Sequence, residues 1–67
     1  MKWRANLKSI KSRYFEITQD QSVGYYLYVY EDNKCIRDYL QDTLELAMEC
    51  AEEDFCVPKS SWKKIEE

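Results

Sequence analysis

The sequence lacks most of the residues from which small catalytic and metal sites are built. It contains no histidine, one glycine and one proline among 67 residues. Without histidine the usual Cys/His zinc sites are excluded, and most acid–base and nucleophilic templates lack a member. No glycine-rich phosphate loop and no G-x-S-x-G motif occurs. We therefore expect no catalytic residue, no cofactor and no metal, and a protein that is not an enzyme.

Cysteine is scarce as well, and its pattern is uninformative. Cys35, Cys50 and Cys56 form an odd set without a C-x-x-C spacing, which speaks against a disulfide framework or a metal site. We expect three small buried hydrophobic residues in a reducing compartment. A bridge between Cys35 and Cys56 stays open, because spacing alone does not exclude it.

Long apolar runs are also missing. No stretch approaches the roughly 18 residues that a membrane span needs, and the basic residues 1–4 precede no apolar segment of a signal peptide. The expectation is a cytoplasmic single domain without membrane contact. A chain this short buries only roughly 60% of its unfolded surface. Oligomerisation or partner binding is therefore the expected supplement to a small core.

Charge is distributed unevenly along the chain. Residues 1–15 contain five basic residues and no acidic one, whereas residues 35–54 contain seven acidic residues and one arginine. The formal net charge of −3 hides this asymmetry. The protein is electrically bipolar, which favours a charged partner or pairing between the two segments.

Three strands and one helix are predicted. Residues 25–31 are rich in aromatic and β-branched residues, and Asp32-Asn33 is typical of a tight turn that leads into a partner strand at 35–41. An earlier strand is expected at 13–18. Helix 43–56 has Asp42 or Thr43 as its cap, and Glu45 lies three residues after Asp42, as in a capping box. Its core face carries Leu44, Ala47, Met48, Ala51 and Phe55.

The two ends are ambiguous. In the segment 1–12, Trp3, Leu7 and Ile10 have helical spacing, yet Trp3, Ala5 and Leu7 alternate as a strand would. The extension 57–67 contains Trp62, which we expect to be anchored on the core, in either a short closing strand or a helical turn.

Residues 25–29, the Asp42-Thr43-Leu44-Glu45 segment with its helix, Phe55 and Trp62 together resemble small bacterial proteins built as a β-meander followed by a helix. The resemblance covers about residues 13–65 and implies the fold alone, since such proteins have no agreed activity. The predicted fold is α+β: a three-stranded antiparallel β-meander, residues 13–41, with one amphipathic helix on one face and a C-terminal strand as an option. The predicted core is Phe15, Ile17, Leu27, Val29, Ile36, Leu40, Leu44, Ala47, Met48, Ala51 and Phe55.

One candidate site is the sheet face turned away from the helix. If Leu27 and Val29 face the helix, the intervening tyrosines stand on the opposite side, and we expect a neighbouring arginine and tyrosine to join them. Three interpretations stay open: a partly solvated sheet surface, a homodimer interface, or a stacking platform for single-stranded nucleic acid. The small number of basic residues near this face disfavours the third. The predicted interface residues are Tyr26, Tyr28, Tyr30, Arg37 and Tyr39.

The other candidate is an acidic stripe on the helix, formed by Glu45, Glu49, Glu52 and Glu53. It is a solubilising face, a surface for a basic partner, or the intramolecular partner of the basic N-terminal segment. The first functional hypothesis is a non-catalytic protein-interaction module, of inhibitor or immunity type, that presents this stripe. Self-association through the tyrosines and weak nucleic-acid binding are the alternatives.

Overall fold

The structure, a computed structural model, describes residues 1–6 and 13–65. It contains one five-stranded sheet of order β4-β3-β2-β1-β5, in which all neighbouring strands are antiparallel. One helix, α1, spans Leu44–Phe55, and a single 3-10 turn, Lys59–Ser61, follows it. The strands are β1 Lys2–Asn6, β2 Arg13–Asp20, β3 Gly24–Glu31, β4 Lys34–Gln41 and β5 Lys63–Ile65.

The predicted α+β class is confirmed, but the meander has four strands instead of three, and a fifth strand follows the helix. Of the two interpretations of the N-terminal segment, the strand is correct for residues 2–6, which form β1. Leu7 and Ile10 lie outside the described residues. After α1 the chain returns to the far side of the sheet, where β5 pairs with β1. The last strand of the chain is thereby joined to the first.

The β3–β4 turn forms as predicted. Asp32 and Asn33 have φ of 52° and 66°, a left-handed pair that matches the twist of a two-residue hairpin. The β2–β3 turn is held differently, by a bond of 2.8 Å that the amide of Ser22 donates to the carboxylate of Asp20. Both turns place strands of equal length, β2, β3 and β4, side by side.

The core lies between the sheet and α1. Its largest fully buried side chains are on β2 and β3 and just beyond the helix: Phe15, Ile17, Leu27, Val29 and Val57. Ala47 and Ala51 supply the buried face of α1, and their small side chains let the helix approach the sheet closely. Ala5 and Val57 are buried although neither was predicted to be.

Two predicted core residues lie outside the core. Leu40 is 49% exposed, because it pairs with Tyr26 and therefore stands on the side of the sheet away from the helix. Ile36 is 40% exposed, at an irregularity where β4 carries one unpaired residue opposite Val29 and Tyr30. Both errors come from assigning the even-numbered residues of β4 to the helix side of the sheet, where the odd-numbered Arg37 and Tyr39 stand instead.

The helix begins and ends at well-defined caps. Thr43 is the N-cap, and its hydroxyl accepts a bond of 3.1 Å from the amide of Leu46. This position excludes the predicted capping box between Asp42 and Glu45, because the cap lies one residue later. At the other end, Cys56 adopts the left-handed conformation with φ of 59° and directs Val57 into the core.

The cysteines differ from the expectation of burial. All three are free thiols, and Cys35 and Cys56 are exposed. Cys50 is half-buried, and burial, followed by the charge of Asp54, raises the pKa of its thiol. In the described part of the chain, no helix has both the length and the apolar character required to span a membrane.

Candidate interaction face

The side of the sheet away from α1 carries a cluster of aromatic rings. On β3, buried Leu27 and Val29 face the helix, so the tyrosines that alternate with them face outward. Tyr14 on β2 pairs with Tyr30 and extends the cluster across two strands. We call this surface the tyrosine face; its rings are Tyr14, Tyr26, Tyr28 and Tyr30.

The rings of the tyrosine face pack on one another. Tyr14 and Tyr30 stack with centroids 4.7 Å apart and planes 9° from parallel, and Tyr26 and Tyr28 stack at 5.8 Å and 15°. Tyr28 and Tyr30 meet at 6.4 Å and 51°, so the four rings form one continuous row. The guanidinium carbon of Arg4 lies 5.3 Å from the ring centroid of Tyr14 and ends the row. Such contacts fix the side chains before any partner arrives.

The structure places Tyr26, Tyr28 and Tyr30 on this face, as expected, and Arg37 and Tyr39 on the opposite side; the interface role of these residues stays a prediction. Tyr39 pairs with Leu27 and Arg37 with Val29, so both residues stand on the helix side of the sheet. Tyr39 packs against the ring of Phe55 at 6.3 Å. The expectation failed because it placed β4 one residue out of register, and a shift of one residue exchanges the two faces.

Tyr14 was missed as a member, although the sequence contained the signal. In the predicted strand 13–18, Phe15 and Ile17 face the core, which leaves Tyr14 and Glu16 on the outer side. Leu40 adds an exposed apolar side chain next to Tyr26. The face is therefore more apolar than the residues of β3 alone suggest.

Two phenols of this face, those of Tyr28 and Tyr30, are held in their neutral form. Burial is the main cause that raises the pKa of Tyr28, followed by the neighbouring Tyr26. Burial and then the charge of Glu16 raise the pKa of Tyr30. At neutral pH these two hydroxyls therefore remain both donors and acceptors of hydrogen bonds.

Basic residues near the N-terminus pair with carboxylates of the sheet. Arg4 lies 3.3 Å from Glu16 on the tyrosine face, and Arg13 lies 2.6 Å from Glu31 on the helix side. The alternative in which the basic N-terminal residues pair with the glutamate stripe is therefore wrong for these two arginines. Lys8 and Lys11 lie outside the described residues.

The glutamate stripe has a cation of its own at one end. The ammonium of Lys59 lies 3.6 Å from the carboxylate of Glu49 and 4.0 Å from that of Glu45. It relieves the repulsion between these two charges four residues apart. Glu52 and Glu53 are exposed, and in residues 1–6 and 13–65 no cation pairs with either of them. The stripe thus has two halves: Glu45 and Glu49, which are paired with Lys59, and Glu52 and Glu53, which we call the open half.

Within the described ranges, 1–6 and 13–65, no three His, Cys, Asp or Glu residues are arranged to hold a metal ion. No protein-family model, no curated protein and no solved structure matches this chain. Two surfaces of the described residues remain as candidate binding sites, the tyrosine face and the open half of the glutamate stripe.

Proposed function

We propose that this protein is a non-catalytic protein-binding module whose binding surface is the tyrosine face. The observation that supports the proposal is that the helix covers only one side of the sheet. Helix α1 buries one side completely at Phe15, Ile17 and Leu27, while the other side presents four packed tyrosines beside an exposed leucine. Tyrosine and arginine are enriched at protein interfaces, because a large rigid ring with a polar end gains contact area at low entropic cost.

The ring geometry favours a protein over a nucleic acid. A base stacks on an open aromatic ring, but one side of Tyr14 is packed against Tyr30 and Arg4 lies over the ring. Arg4 also forms a salt bridge with Glu16, which weakens the attraction of its guanidinium for a phosphate group. The net charge of −3 further opposes binding to a polyanion.

The open half of the glutamate stripe supports a second candidate function. Glu52 and Glu53 are exposed and unpaired within the described residues, as an acidic surface for a basic partner requires. The observation that weakens this candidate is the salt bridge of Lys59, which removes Glu45 and Glu49 from the available charge. An inhibitor or immunity-type role through this surface is therefore ranked second.

A photo-crosslinking experiment separates the two surfaces. The photoreactive amino acid p-benzoyl-phenylalanine replaces Tyr28 in one variant and Glu53 in a matched variant, and both are irradiated in the producing cell. We expect a discrete covalent adduct from position 28, because that side chain lies at the centre of the tyrosine face. Mass spectrometry identifies the adduct as another protein or a second copy of this chain.

The two positions act as controls for each other. Both are on the surface, so a retained circular-dichroism spectrum is expected for each variant. Adducts from position 28 alone support the tyrosine face, whichever protein is captured. Adducts from position 53 alone, or from neither position, contradict it, and the first of these results favours the acidic candidate.

A further inference from the structure

The outer side of the sheet has charges of opposite sign at its two edges. One row of paired residues on this side crosses all five strands, from β4 to β5. Acidic side chains occupy the β4 side and the centre, and basic side chains occupy β1 and β5. In strand order the row is Asp38, Tyr28, Glu16, Arg4 and Lys63.

A second row, next to the first, has apolar side chains at both ends. Leu40 stands at the β4 edge and Ile65 at the β5 edge, and the residues between them, in strand order, are Tyr26, Thr18 and Lys2. The two ends of each row are therefore complementary. In the first row acidic Asp38 matches basic Lys63, and in the second row apolar Leu40 matches apolar Ile65. Complementarity of this kind is required of a surface that binds a copy of itself across a two-fold axis.

We propose that the tyrosine face binds a second copy of this chain, with the two-fold axis lying in the interface, parallel to the strands, over β2. The inference rests on the proposed function and names the partner. Rotation about that axis places β5 of one copy over β4 of the other, and β1 over β3. A two-fold axis perpendicular to the strands instead places like edges together, which opposes equal charges.

The proposed packing gives each row end a chemically matched contact. Lys63 lies over the partner's Asp38, and Ile65 lies over the partner's Leu40. Arg4 lies over the partner's Tyr28, where a guanidinium is attracted to the ring. The two Glu16 carboxylates approach the axis, and each is already paired with Arg4 of its own chain at 3.3 Å. Two sheets stacked in this way have nearly aligned strands, the usual arrangement of sandwiches.

The available area is sufficient for a modest dimer. With about 3.4 Å per residue and about 4.8 Å between strands, the five strands outline roughly 500 Å² on each copy. A specific interface needs on the order of 1,000 Å² in total from both partners. The face therefore fits a dimer at the small end of the specific range.

Charge reversal with rescue tests the arrangement. Asp38→Lys alone places two lysines opposite each other at both symmetric contacts, and Lys63→Glu alone places two acids there. We expect each variant to raise the dissociation constant of the homodimer at least about tenfold in sedimentation equilibrium. An equal mixture of the two variants restores both attractive contacts in a heterodimer, and its dissociation constant is expected within about threefold of the natural chain.

The control variant is Glu53→Lys, which makes the same charge change as Asp38→Lys on the helix and should leave dimerisation unchanged. Circular dichroism confirms the fold of each variant. Weakening by the single changes without rescue in the mixture contradicts the proposed axis. A natural chain that stays monomeric contradicts the dimer but leaves the proposed function standing if position 28 crosslinks to a different protein.

Discussion

Phe15→Ala is expected to lower the free energy of unfolding by about 3–5 kcal/mol, the usual cost of removing a buried phenylalanine. Phe15 is fully buried at the centre of β2 and packs against the ring of Phe55 at 5.5 Å. Typical stabilities of 0.05–0.15 kcal/mol per residue give a chain of this size about 3–10 kcal/mol in total. The loss therefore amounts to between about a third and all of the stability, so the variant should be strongly destabilised or unfolded. Urea denaturation followed by circular dichroism measures the change.

The matched control is Leu46→Ala, which removes a comparable side chain that is 42% exposed on α1. It should cost less than about 1 kcal/mol, as surface substitutions do. Equal losses for the two variants would show that the core does not lie between the sheet and the helix as described. Such a result would also remove the reason for treating the tyrosine face as the uncovered side.

Gly24→Ala is the second change with a large expected effect, about 2–4 kcal/mol of unfolding free energy. Gly24 opens β3 with φ of 130°, a conformation that residues with a side chain rarely adopt. An added Cβ also overlaps the carbonyl oxygen of Gln41 at the end of β4, and that atom belongs to the backbone and cannot rotate away. Strain and steric overlap therefore act together.

Val23→Ala is the control for Gly24, since it changes the preceding position, whose side chain is 48% exposed. It should shift the thermal midpoint by little. If Gly24→Ala is as stable as the natural chain, the backbone of the β2–β3 turn differs from that described. The register of Tyr25 and Tyr26 against β4 then needs revision as well, because both follow directly from this turn.

The parts of the fold that were predictable have strong local signals. Residues 25–31 and the left-handed Asp32-Asn33 turn identify β3 and its hairpin, and the spacing of Ala47 and Ala51 identifies the buried face of α1. Pairing of β1 and β5 was not predictable. It joins residues about sixty positions apart, and β5 is three residues long and largely polar.

The candidate site was predicted in part, for a comparable reason. Alternation along β3 places three tyrosines on one face, and the same alternation on β2 adds Tyr14. The side occupied by Arg37 and Tyr39 depends on the register between β3 and β4, which the irregularity near Ile36 modifies. The charge pattern from Asp38 to Lys63 depends on the order of all five strands, so it becomes visible only in the folded sheet.

A zero-length carbodiimide crosslink between Asp38 and Lys63 is the most direct test of the central claim, that the tyrosine face binds a second copy. Within one chain these residues lie at opposite edges of the sheet, about 19 Å apart at four strand spacings, so an amide bond between them must join two chains. A mixture of ¹⁴N- and ¹⁵N-labelled protein identifies interchain peptides by their mass. We expect a mixed-isotope Asp38–Lys63 peptide in the dimer; a crosslinked dimer without that peptide, or no dimer at all, contradicts self-association through the tyrosine face.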